Sequence, residues 1–87
     1  MKYPEIENGK YWSKIPSKIL KVELSKRDLK YPDLVEKLKQ LNIEINVDDL
    51  RGRMSRGTFG AIFFIQCLRA IGVKELLLEE SYFDKQK

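Results

Sequence analysis

Between residues 15 and 73 the chain is punctuated repeatedly by residues that start or stop helices, and the stretches between them are short. Pro16 and Pro32 each suit a first helical turn, where the N–H that proline lacks would be unpaired anyway. Asn42 reads as a stop and Asn46 as the N-cap of the next helix. Gly57 and Gly72 read as terminators, Gly72 in the left-handed conformation that glycine adopts without cost. Such a chain can form only short helices with tight connections, so the expectation is a compact all-α domain of four to five helices.

The apolar periodicity fills in the segments. A first helix runs from Pro16 to near Asp28, with Ile19, Leu20 and Leu24 inward and Val22 at the margin. A second starts at Pro32, where Asp33 complements the helix dipole, and buries Leu34, Val35, Leu38 and Leu41. Ile43 and Ile45 tuck inward from the connector. A third is capped by Asn46, carries Asp48 and Asp49 in its first turn, and offers the apolar pair Leu50 and Met54. Gly52 costs it about 1 kcal/mol relative to alanine. A fourth, capped by Thr58, shows so wide a stripe (Ala61, Ile62, Phe64, Ile65, Leu68, Ile71) that it is expected to be the most buried. Residues 1–14 read as an N-terminal arm with Tyr11 and Trp12 packed back on the core, and 15–73 as the domain proper. Residues 74–87 read as a C-terminal extension. Leu76, Leu77 and Leu78 do not alternate with polar residues, so a short strand and a fifth helix both fit there. The tail from Ser81 reads as frayed, with Tyr82 and Phe83 as anchors.

Composition narrows the function. The 87 residues make one small domain, and no apolar run approaches the ~20 residues that span a bilayer. The N-terminus lacks the apolar stretch of a signal peptide. The chain has one cysteine, Cys67, and no histidine. That removes the usual general base and the commonest metal ligand, and Cys67 on a buried helix reads as core. The expectation is a cytoplasmic protein without cofactor or metal and without enzymatic activity.

The net charge of +4 is modest, but its distribution is uneven. Residues 51–74 carry five cations (Arg51, Arg53, Arg56, Arg69, Lys74) and no acid, and residues 1–30 carry eight cations against four acids. A fold that brought these segments to one face would attract polyanions.

The order of segments, with Asp28-Leu29-Lys30-Tyr31-Pro32-Asp33-Leu34-Val35-Glu36-Lys37-Leu38, then Met54-Ser55-Arg56-Gly57, then Leu68-Arg69-Ala70-Ile71-Gly72-Val73, resembles the lambda-repressor-like (XRE-type) helix-turn-helix family. More narrowly, it resembles a small bacterial family of that type whose function is unassigned. The resemblance covers roughly residues 18–73. It departs from the pattern in its longer connection between the second and third helices. It departs again at Val35, Tyr31 and Ser55, where the family has a small, a polar and an acidic residue. The resemblance implies a transcriptional regulator that lays its third helix in the major groove of double-stranded DNA. Arg51, Arg53, Ser55 and Arg56 would then face bases and phosphates, with Lys30 and Tyr31 on the backbone. Two copies are the usual way for so small a reader to gain specificity, and a homodimer through Leu76, Leu77 and Leu78 is expected. Asp48 and Asp49 would repel phosphate, and they favour the alternative of a protein–protein interaction module that keeps the fold without binding DNA.

Overall fold

The computed structural model describes residues 9–57 and 59–83. The chain forms helices α1 (Gly9–Ser13), α2 (Ile15–Lys26), α3 (Tyr31–Gln40), α4 (Val47–Arg56) and α5 (Ala61–Ala70), then a 3₁₀ turn over Glu80–Tyr82. Among the described residues there is no strand, and the all-α expectation holds.

Three of the helices stop in the same way. At the end of α2, Leu29 N–H donates to the Leu24 carbonyl (2.9 Å) and Asp28 N–H to that of Ser25 (3.1 Å). Ile43 and Asn42 repeat the pair on Leu38 and Lys39, and Val73 and Gly72 repeat it on Leu68 and Arg69. The residue at the bend is left-handed each time, with φ of 55° at Asp28, 63° at Asn42 and 84° at Gly72. The next residue (Leu29, Ile43, Val73) drops onto the core, so each stop satisfies orphan carbonyls and adds apolar contact at once.

Those endings fold α3 against both α4 and α5, and α2 against α5. The core between them is built from Leu20 and Leu24 of α2, Leu34 and Leu38 of α3, Leu50 and Met54 of α4, and Phe63, Cys67 and Leu68 of α5. Leu20, Leu34, Leu38, Leu50 and Cys67 are wholly buried. A smaller second core of Ile15, Ile19 and Tyr82, with Tyr11 and Phe83 against it, joins the two ends of the described chain. Residues 9–13, within the segment that reads as an N-terminal arm, form a short helix, with Tyr11 packed back. Trp12 sits at its surface, 6.2 Å from the Phe83 ring. Tyr82 and Phe83 anchor the chain as expected, and the tail after Phe83 lies outside the described residues.

The α5 helix is rotated from the expected stripe. Phe63, Cys67 and Leu68 point inward, while Ala61, Ile62 and Ile65 face solvent. The run Ile62-Phe63-Phe64-Ile65 is apolar on every side, so its periodicity could not choose a face. Gly60 is the N-cap residue of α5. The capping role expected of Thr58 lies outside the described residues. Residues 73–79 are neither helix nor paired strand; they run to the 3₁₀ turn with Leu76 half-buried and Leu77 and Leu78 exposed.

Two contacts lock the start of α2 to the end of α4. The buried Ser17 hydroxyl donates to the Met54 carbonyl at 2.9 Å, satisfying one of the last-turn acceptors of α4. Gly57, left-handed at φ 67°, lies directly against the Ser13 carbonyl, and a β-carbon there would overlap that oxygen.

Glu23 is the one buried carboxylate among the described residues. Burial alone would raise its pKa, but hydrogen bonds from Arg27 (2.7 Å) and Lys26 (3.3 Å), with their charges, outweigh it and hold the group below its ordinary 4.5. A depressed folded-state pKa stabilises the fold fully above the unfolded value, and that contribution disappears as pH falls through the folded one. Glu23→Gln therefore costs about 1–3 kcal/mol at neutral pH. The difference between variant and parent starts to shrink below pH 4.5 and closes as pH falls through the lower folded-state pKa, which urea titrations at stepped pH measure.

Candidate nucleic-acid interface

The α4 helix owes its placement to its two ends and its apolar pair. The Asn46 side chain accepts the Asp49 N–H at 2.7 Å and caps the start, Gly57 closes the end, and Leu50 and Met54 anchor the inner face. At 100° per residue the opposite face centres on Gly52, bordered by Asp48, Asp49, Ser55 and Arg56, with Arg51 on one flank and Arg53 on the other.

The three arginines therefore play different parts. Arg51 is exposed and lies 3.5 Å from Asp48 across one turn, an ion pair in solvent that contributes little and leaves the guanidinium open to an incoming group. Arg53 turns inward: its guanidinium stacks on the Phe63 ring, 4.7 Å from the centroid, so it clamps α4 to α5. Arg56 folds back along its own helix. Its guanidinium covers Gly52 so closely that a β-carbon there would come within 3.0 Å of a terminal nitrogen. Gly52 thus lies beneath the far end of the Arg56 side chain.

Ser55 and Lys30 are exposed. Lys30 stands at the start of α3, its N–H held by the Asp33 carboxylate at 2.8 Å. Tyr31 is half-buried and packs on the core, so its ring is committed inward. Asp48 and Asp49 are both exposed in the first turn, where the helix dipole favours acids.

One cation was not foreseen. Lys14, exposed at the α1–α2 junction, has its backbone beside Gly57, the residue after Arg56. Only the long-range docking of α2 on α4 brings it there, and no local pattern announces it. Cys67 is fully buried, and burial pushes its thiol up to about 12 despite the charge of Arg53, so it is protonated at neutral pH. Among the described residues no helix is long and apolar enough to cross a membrane.

The fold and this face define a small all-α domain that presents a polar, arginine-bearing helix on a leucine-rich core. Residues 12–76, most of the 87, match the family described as a domain of unknown function, DUF6471, and the chain belongs to that family. The match includes α2 to α5 entire. No curated protein and no solved structure matches the chain.

Proposed function

We propose that the domain is an XRE-type helix-turn-helix module that binds double-stranded DNA through α4 and acts as a transcriptional regulator. The observation that carries this reading is the presentation of α4. Leu50 and Met54 hold it on the α3–α5 core, while Arg51, Ser55 and Arg56 stand exposed on the side away from it, Arg56 lying over Gly52 and Asp48 and Asp49 sharing the first turn. A helix held in this way can enter a major groove, and guanidinium groups suit guanine edges and phosphates. Lys14, whose backbone lies beside Gly57, adds an exposed cation near the C-terminal end of the helix.

Fluorescence anisotropy with a random-sequence duplex across a KCl series tests the proposal. Binding weakens steeply with salt. Replacing Arg51, Arg53 and Arg56 together by alanine abolishes it. Because Arg53 also supports the fold through Phe63, the pair Arg51→Ala with Arg56→Ala is the cleaner probe. It lowers affinity at least tenfold and the salt slope by about 2, while stability stays within about 0.5 kcal/mol. Equal binding by the double variant would show that α4 is not the DNA-facing element. The second reading, a protein-interaction module, draws on Asp48, Asp49 and the exposed Ile62 and Ile65. It is the one to keep if the protein neither shifts a duplex nor binds heparin.

A further inference from the structure

Four large aliphatic side chains lie mostly in solvent near the C-terminal end: Ile62 (78%) and Ile65 (60%) on α5, and Leu77 (67%) and Leu78 (65%) on the segment after it. Two surfaces of opposite charge carry them. Ala61, Ile62, Ile65 and Arg69 fall within about 100° of arc on α5 and make its outward face. That face continues into a groove bordered by Ile65, Arg69, Lys74 and Leu76. It carries two cations and no acid. The segment that leaves the groove carries Leu77 and Leu78 among Glu75, Glu79 and Glu80, with no cation from 75 to 83. Residues 74–78 make no backbone hydrogen bond among the described residues; Leu76 packs on the core, while Glu75, Leu77 and Glu79 line a pocket with Glu23 and Lys26 of α2 and Arg27 at its end. Scattered exposed aliphatics are ordinary, but an apolar face backed by a continuous groove marks an interaction surface.

We infer that the occupant is a second copy of this chain. The acidic, leucine-bearing arm of each copy lies on the basic, isoleucine-bearing α5 face of the other about a two-fold axis. Such an exchange covers both pairs of exposed aliphatics at once, and it sets Arg69 and Lys74 of one copy toward Glu79 and Glu80 of the other. An isologous contact of this kind closes as a dimer and does not propagate. It amends the interface expected from sequence: Leu76 lines the groove from within its own chain, and Ile62 and Ile65 take its place.

Charge-swapped variants of the full chain, without DNA, decide the matter by sedimentation equilibrium. The parent forms a dimer in the micromolar range, and Ile65→Glu, at an exposed site, weakens it more than tenfold with an unchanged helical circular dichroism spectrum. One variant carries Arg69→Glu and Lys74→Glu; another carries Glu79→Lys and Glu80→Lys. Each alone sets like charge against like and stays monomeric, whereas an equimolar mixture forms a one-to-one heterodimer. A parent that is monomeric throughout overturns the inference. So does a dimer indifferent to Ile65→Glu, or a mixture that forms no heterodimer. None of these outcomes bears on whether α4 binds a duplex, and the loss of duplex binding would leave the dimer measurement untouched.

Discussion

Replacing Gly57 by alanine lowers stability by about 2–4 kcal/mol, and urea unfolding followed at 222 nm measures it. Two costs combine. The left-handed backbone charges any residue with a β-carbon about 1–2 kcal/mol. The new methyl also overlaps the Ser13 carbonyl, and both sides of that contact are backbone, so relief requires the α1–α2 junction to lift off the end of α4. Lifting it stretches the bond from Ser17 to Met54, whose buried partners cost about 1–3 kcal/mol when left unmade. Two further substitutions separate these causes. Gly57→Asn relieves the backbone conformation, which asparagine tolerates at Asn42, but keeps the overlap, so it is almost as damaging. Gly60→Ser meets open space at φ −75° and supplies an N-cap oxygen to α5, so it is neutral or stabilising by a few tenths of a kcal/mol. A loss below about 1 kcal/mol for Gly57→Ala would mean that α2 does not dock on α4 as described.

Leu50→Ala has a comparable effect by another route. Leu50 is wholly buried between α4 and the helices it rests on, and deleting such a leucine costs about 2–5 kcal/mol in lost transfer energy and cavity. A domain of this size holds only a few kcal/mol in all, so the variant is largely unfolded near body temperature. Thermal melts show this as a broad transition at much lower temperature. Duplex binding should disappear with the fold, in contrast to the double arginine variant, which loses binding while it stays folded. The pair of results separates the residues that position α4 from those that contact a ligand.

What was legible in the sequence was local. Pro16, Pro32, Asn42, Asn46, Gly57 and Gly72 act on their own backbone or on neighbours within a turn, and each does in the fold what its chemistry predicts. The inner faces of α3 and α4 were legible too, in Leu34, Leu38, Leu50 and Met54, but Leu41, expected on the buried stripe of α3, lies past the helix end and is exposed. The orientation of α5 was not: four consecutive apolar residues give periodicity nothing to contrast, and packing against α2 and α3 selects the face. The short α1 was hidden because its Tyr11 packs on the small core that includes Tyr82, at the far end of the described chain, as well as on α2. For the candidate site, the sequence yields the three arginines as a group but not their division of labour. Phe63 draws Arg53 aside and Gly52 receives Arg56 only once the helices exist.

The burial of Cys67 gives the chain an internal clock. Its thiol has no access to solvent and stays protonated, so a maleimide or disulfide reagent finds no nucleophile in the native state. Reaction must wait for α5 to part from α3, and its rate then counts those openings directly. The same seclusion shields the domain from oxidants, and the natural sequence supplies the reporter with no label added.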